Sequence, residues 1–314
     1  MATSSSTFPI TRIQAGDLTT DLDLTTEELS ALLELAAEVK RSPRHYATAL
    51  SGKYLSLLFE KPSLRTRLTF ELAIKQLGGD AVVHMGRIGD REPLKDIARN
   101  LDRWTDCIVA RVFRQETIDD LAGWSGVPVV NALSDMYHPC QALADMQTLK
   151  ERYGSIKGLR LAFCGDGNNV AHSLMLCCAR LGADFAIATP KGYEPHVNIV
   201  NDAAELAGGT GASITVTHDP VEAVKDADAI YTDVWASMGQ EEEAAKRVQA
   251  FQRYQVNEAL MAAAKPGTLF MHCLPAHRGQ ELTDAVAESA NSVIFDQAEN
   301  RLHAQKALLL MLMQ

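Results

Sequence analysis

Residues 159–190 read LRLAFCGDGNNVAHSLMLCCARLGADFAIATP. An apolar run, a loop of glycine and asparagine, a helical stretch and a second apolar run predict strand, loop, helix and strand, the unit from which parallel sheets are built. Downstream, SITVTH, AIYTDVW, GTLFMHC and SVIFDQ extend the strand series, and a helix from about Glu299 to Met313 closes the chain. Upstream, KYLSLLFE, AVVHMG, CIVARVF and VPVVNA read as further buried strands. Among these lie the helices RLTFELAIKQLGG, closed by Gly78 and Gly79, and PLKDIARNLDRWT. Before them, TTEELSALLELAAEVKRSP opens with Thr and Glu three apart and ends near Pro43, as a capped helix does. QALADMQTLKERYG, a helix stopping at Gly154, separates the two series. The alternation predicts an α/β protein with parallel sheets.

Length and composition set the frame. A chain of 314 residues exceeds the size at which a single core usually stops growing, so two domains of roughly 150 residues are expected. An apolar fraction of 46% and a charged fraction of 22% are ordinary for a soluble protein, and the apolar runs are too short for a membrane span. A net charge of -10 argues against a surface that tracks nucleic-acid phosphates. The six cysteines, with Cys177 and Cys178 adjacent, lack the density of a disulfide scaffold and fit a reducing cytoplasm. The opening MATSSSTFPI has neither the charged and apolar regions of a signal peptide nor an Arg-rich amphipathic helix, and reads as a disordered tip.

Parallel sheets place ligands beyond the carboxyl ends of their strands. The chemically unusual segments fall there: EKPSLRTR, RVFRQ, HPCQ, GDGNN, DVWASMG and HCLPAHRG. In PSLRTR, Ser63 and Thr66 offer hydroxyls at a helix N-terminus, where the dipole favours an anion, and Arg65 and Arg67 add forked donors suited to phosphate oxygens. A plain N-cap with two solvated arginines would also explain that segment. HPCQ combines the His138 imidazole, a thiol and the Gln141 amide just before a helix, and His138 reads as a structural cap or as a hydrogen-bond donor to a polarised carbonyl. No zinc pattern is completed by Cys177–Cys178 or His272–Cys273, so no metal is expected. GDGNN invites a dinucleotide reading, but Val170 replaces the third glycine and the next strand ends IATP without the acidic residue that would hold a ribose. Asn168 and Asn169 instead suit a carboxylate, or a simple turn. Asp233, near Ser237 and Met238, suits an ammonium group. Cys273 offers a thiol or merely a small buried side chain, and Leu274–Pro275 a turn exposing carbonyl oxygens.

Taken in order, FEKPSLRTR, HPCQALAD, GDGNNVAHS, DVWASMGQE, HCLPAHRG and FDQAENRLHAQKAL resemble the ornithine branch of the aspartate/ornithine carbamoyltransferase family from the first helix to the end. The resemblance implies two doubly wound α/β domains: residues 1–147, with the C-terminal helix of 299–314 packing back on them, for carbamoyl phosphate, and residues 148–298 for L-ornithine. It implies citrulline and phosphate as products, no cofactor, and a cytoplasmic homotrimer or assembly of trimers with sites at subunit interfaces. Ser63, Leu64, Arg65, Thr66 and Arg67 would hold the phosphate. Arg111 and His138, with Thr66, would polarise the carbamoyl oxygen, and Gln141, Cys273, Leu274 and Arg301 would meet the carbamoyl nitrogen. Asn168, Asn169, Asp233, Ser237 and Met238 would take ornithine, with Asp233 and Cys273 near its amine. A cis Leu274–Pro275 bond is expected from the same likeness.

Two positions depart from the family pattern. Leu64 stands where a threonine is usual, and Arg87, in HMGRIGDREPLKD, stands where better-known bacterial members have glutamine. In the family that loop reaches a neighbouring subunit's site; the plain alternative pairs Arg87 with Asp90 or Glu92. Rival functions are a sister transferase using aspartate, putrescine, or acetylated or succinylated ornithine, a nicotinamide dehydrogenase, and a regulatory relative without catalysis.

Overall fold

The computed structural model describes residues 10–236 and 243–314. The chain forms two compact units, one running to Asp135 and including Asn300–Gln314, the other Met136–Glu299.

In the first unit, α1 (Thr26–Arg41) starts at Thr25, whose side chain accepts from Glu28 N while the Glu28 carboxylate accepts from Thr25 N, the reciprocal cap expected from TTEE. Then come β1 (Tyr54–Phe59), α2 (Leu64–Gln76), β2 (Asp80–Met85), α3 (Leu94–Trp104), β3 (Cys107–Arg111), α4 (Gln115–Trp124) and β4 (Val129–Leu133). The sheet order is β2-β1-β3-β4 with every pairing parallel, Leu57 lying between Val83 and Val109. Buried Leu55, Leu57, Ile108, Val109, Val129 and Val130 form the continuous apolar runs that a sheet covered on both faces requires. After α2 the chain turns tightly: a Cβ at Gly79 would lie 2.5 Å from the Lys53 carbonyl oxygen, so only glycine fits there.

The second unit contains α5 (Pro139–Tyr153), β5 (Arg160–Cys164), α6 (Asn169–Leu181), β6 (Asp184–Ala188), α7 (Val197–Thr210), β7 (Ile214–Thr217) and α8 (Pro220–Val224). It continues through β8 (Ala229–Thr232), α9 (Ala244–Phe251), α10 (Glu258–Ala262), β9 (Leu269–His272) and α11 (Asp284–Ala287). Its parallel sheet runs β7-β6-β5-β8-β9. Helix α12 (Ile294–Met313) ends the chain, and its part from Asn300 belongs to the first unit. There Lys40 Nζ donates to Asn300 Oδ1 at 2.8 Å and Ile13 N to Met311 O at 3.2 Å, so the last helix does return to the first half of the fold.

SVIFDQ is not a strand. Ser292 makes one isolated bridge to Phe270, and α12 begins at Ile294. Val293, Ile294 and Gln297 are buried while Phe295 stays exposed, a spacing that belongs to a helix rather than to an alternating strand. No helix among the described residues is long and apolar enough to cross a membrane.

Candidate active site

In each sheet the strand order reverses once, between β1 and β3 in the first unit and between β5 and β8 in the second. Those reversals open crevices beyond the carboxyl ends of the strands. EKPSLRTR leaves β1 and RVFRQ leaves β3; GDGNN leaves β5 and DVW leaves β8.

At the first reversal, Phe59 pairs with Arg111, and the register of β3 against β4 shifts between Ala110 and Arg111. Such an irregularity bends a strand end and re-aims the side chain there. Glu60 pins two loops at once, accepting from Ile88 N at 3.1 Å through one oxygen and from Phe113 N at 3.0 Å through the other. Ser63 caps α2, its hydroxyl accepting from Thr66 N at 3.2 Å, and Arg65 lies in the first helical turn. Thr66 is buried, and its Oγ1 accepts from Arg301 Nη2 at 2.8 Å, drawing α12 to the start of α2. A capped helix start with Arg65, Arg301 and the neighbouring strand-end Arg111 has the sign and donors to hold a small anion.

Three other residues expected at the anion have the following surroundings. Leu64 is 72% exposed at the head of α2. Arg67 directs Nε to Glu71 Oε1 at 2.7 Å, one helical turn on. Arg87 forms no ion pair with Asp90 or Glu92 among the described residues; its guanidinium lies over the Phe113 ring at 5.4 Å, a ring that Lys61 Nζ also approaches at 4.7 Å.

At the second reversal a single carboxylate gathers three strand ends. Asp233, just past β8 and 5% exposed, accepts from Asn168 Nδ2 at 2.8 Å on Oδ2, and on Oδ1 from Val234 N at 2.8 Å and the Cys273 thiol at 3.0 Å. Asn168 caps α6, its Oδ1 accepting from Val170 N at 3.0 Å and Ala171 N at 3.1 Å, and Asn169 is the first helical residue. Cys273 follows β9 and leads into Leu274, whose φ of 56° lies in the left-handed region, and then the expected cis Leu274–Pro275 bond. Ser237 and Met238 lie outside the described residues.

HPCQ begins α5. His138 occupies the N-cap position without a side-chain cap bond, so its imidazole is not the structural cap; its backbone N donates to Ser173 Oγ at 2.9 Å. Gln141 is buried, and its Nε2 donates to Asp145 Oδ1 at 2.9 Å. That bond sets the amide so that its oxygen faces away from Asp145, as an acceptor must. Asp145 also receives Gln297 Nε2 at 2.8 Å and the Tyr231 hydroxyl at 3.0 Å. Burial, and then Asp145 beside it, raises the Tyr231 phenol well above its ordinary value, so it stays a donor.

Sequence reading missed Asp145, Gln297, Glu281 and Arg247. A signal was present for Asp145, a charge inside the otherwise apolar start of α5. Arg247 ties Asp166 (2.8 Å) to the Trp235 carbonyl (2.9 Å) and stacks on Tyr193 at 4.9 Å. Burial raises the Asp166 carboxyl above its usual range, with Arg247 opposing that shift.

The geometry also bears on a dinucleotide and on a metal. Asn168 takes with its own side chain two N–H groups at the start of α6, where a pyrophosphate would need them. Gly167 answers a packing demand, because a Cβ there would meet Pro195 N at 2.2 Å. After β6 the residue is Thr189, whose hydroxyl donates to the Tyr193 carbonyl at 2.7 Å. Asp233, His272 and Cys273 bring potential ligand atoms within 4.8 Å of one another. Both His272 nitrogens are engaged, Nδ1 accepting from Leu274 N at 2.8 Å and Nε2 facing Glu281 Oε1 at 3.3 Å, so coordination would break one of these bonds.

The carbamoyl-P binding domain of aspartate/ornithine carbamoyltransferase matches residues 17–151, and the Asp/Orn binding domain of the same family matches residues 157–312. An ornithine carbamoyltransferase of Anoxybacillus flavithermus is 50% identical over 307 residues, covering 96% of this chain and 98% of that protein. The anabolic ornithine carbamoyltransferase of Pyrococcus furiosus is 51% identical over 296 residues, covering 93% and 94%. A solved structure of ornithine carbamoyltransferase from Pyrococcus furiosus superposes with a TM-score of 0.93 at 50% identity, covering 98% of this chain and 99% of that one. With both family domains matched in order and the strand-end motifs in place, the chain belongs to the aspartate/ornithine carbamoyltransferase family.

Proposed function

We propose that this chain transfers the carbamoyl group of carbamoyl phosphate to the δ-amine of L-ornithine, giving citrulline and phosphate. The observation that carries this reading is the convergence of GDGNN, DVW and HCLP on one buried carboxylate, Asp233, an anion placed to receive an amine. Residues 1–147 with 299–314 would bind carbamoyl phosphate and residues 148–298 ornithine.

In this scheme Arg65, Ser63, Thr66, Arg67 and the backbone at Leu64 hold the phosphate, with Arg87 adding a cation. Arg111 and His138 stabilise the oxyanion that forms on the carbamoyl oxygen, a role often worth several kcal/mol of barrier. The Gln141 amide oxygen and the backbone at Cys273 and Leu274 accept from the carbamoyl NH2, with Arg301 at the same end. Asn168, Asn169 and the backbone at Met238 take the ornithine carboxylate; Asp233 and Ser237 take the α-amine. The nitrogen–carbon bond forms, the carbon–oxygen bond to phosphate breaks, and the amine sheds a proton that the departing phosphate can take. The attacking δ-amine must be neutral although free alkylamines are protonated at pH 7, and the Cys273–Asp233 contact supports a role in selecting that form. Much of the acceleration is then positioning.

Assembly as a cytoplasmic homotrimer or a set of trimers is part of the same proposal. Exposed Leu64, Leu68 and Leu72 stand one turn apart on α2, an apolar stripe suited to a second copy. The direct test of function is citrulline formation from carbamoyl phosphate and L-ornithine. It is set against the products from aspartate, putrescine, N-acetylornithine and N-succinylornithine. Preference for any of these over L-ornithine would move the chain to a sister activity.

A further inference from the structure

We infer that His272 and Glu281 are a positioning pair that fixes the backbone on either side of Cys273; the inference rests on the reading that Cys273 and Leu274 face the carbamoyl group. Both side chains are fully buried, and Glu281 reaches His272 from beyond the HCLPAHRG turn. A backbone N–H can only donate. Because Leu274 N donates to His272 Nδ1 at 2.8 Å, that nitrogen carries no proton, and the ring proton sits on Nε2, 3.3 Å from Glu281 Oε1. Protonating Nδ1 would set one N–H against another. The contact is therefore a neutral imidazole donating to a carboxylate, and the carboxylate selects the tautomer.

The consequence is local and geometric. Leu274 has φ of 56°, a conformation that non-glycine residues rarely adopt without being held. His272 Nδ1 holds its N–H. On the other flank His272 N donates to Gln297 Oε1 at 3.0 Å, and Gln297 is itself oriented by Asp145. The N–H groups before and after Cys273 are thus anchored, which fixes where its thiol and the adjoining carbonyl oxygens point. Glu281 Oε1 also accepts from His277 N, closing the far side of the turn, while Oε2 has no hydrogen-bond partner. His272 and Glu281 act through Cys273 and Leu274 and touch no substrate.

Two matched pairs of variants in the full-length enzyme test this. His272→Asn puts an amide oxygen where Nδ1 stands and keeps an acceptor for Leu274 N; His272→Leu keeps the bulk without it. Glu281→Gln keeps the Oε1 acceptor and changes only the unbonded oxygen; Glu281→Met removes both. The expected result is a fall in kcat of about 100-fold for His272→Leu and Glu281→Met, the cost of roughly 1 Å of misplacement. His272→Asn and Glu281→Gln should stay within about 10-fold of the parent, with KM for ornithine and thermal midpoint nearly unchanged within each pair. Equal losses within both pairs, or losses that follow the thermal midpoint, would overturn the inference. Should His272→Leu not fold, the Glu281 pair decides alone. Failure of the unaltered enzyme to make citrulline would instead sink the functional reading on which the inference rests.

Discussion

The thiol of Cys273 lies 3.0 Å from Oδ1 of Asp233, joining the end of β9 to the end of β8. A soft, weak donor thereby rests on a carboxylate that also binds Asn168, the cap of α6. Anything that alters this contact acts first on the amine side of the proposed reaction.

Cys273→Ser is expected to lower turnover or ornithine affinity while leaving carbamoyl-phosphate affinity near that of the parent. A hydroxyl still reaches Asp233 but is shorter, harder and less acidic than the thiol. Steady-state kinetics with ornithine, together with calorimetry of carbamoyl phosphate, separates the two effects; a loss confined to carbamoyl phosphate would reverse the assignment.

Thr66→Val should cost stability as well as function. The change is nearly isosteric but leaves Arg301 Nη2, within a 3% exposed residue, without the acceptor it has at 2.8 Å. Losing such a buried partner costs about 1–3 kcal/mol. Urea unfolding should show a lower midpoint at unchanged slope, and an unshifted midpoint would mean that the Arg301 contact contributes nothing.

His172 gives a pH dependence of known sign. It is 4% exposed, Nδ1 donates to the Met136 carbonyl at 2.9 Å, and Nε2 accepts from His196 N at 3.0 Å. Burial pushes its pKa from 6.5 down to about 4. Between those values the unfolded chain takes up a proton that the folded one refuses, so stability falls as pH falls, by at most about 1.4 kcal/mol per pH unit. His172→Gln should flatten the stability profile in that window; an unchanged slope there would contradict the assignment.

Arg87 is expected to act across a subunit boundary. Homo-oligomers of Arg65→Ala and of Arg87→Ala should each be nearly inactive, yet mixtures dissociated and reassembled together should recover some activity. Some interfaces would then unite an intact Arg65 with an intact Arg87. Full activity in Arg87→Ala, or no recovery in hybrids whose formation mass spectrometry establishes, would assign Arg87 only to its stacking on Phe113 in its own chain.

Much of this molecule was legible in its residues. Each strand named upstream of Ser292 is present, because buried parallel strands are near-continuous apolar runs between turn signals. SVIFDQ misled because a short apolar run does not distinguish a strand from the buried start of a helix. The deciding residue there was Gln297, whose carboxamide is engaged inside by Asp145 and His272. Strand-end motifs located Asp233, Asn168, Cys273 and Thr66. Glu281 and Arg247 were not legible, since a lone polar residue does not name its partner, and Asp145 left only the trace of a charge in the first turns of α5.

The most direct test of the proposed site is calorimetric titration of carbamoyl phosphate into the unaltered enzyme and into folded Arg65→Ala. The unaltered enzyme should bind and Arg65→Ala should lose most of that affinity and nearly all citrulline formation, with its thermal midpoint retained. Parent-like binding and turnover in folded Arg65→Ala would remove the head of α2 from the phosphate site and contradict the division of substrates proposed for the two halves of the chain.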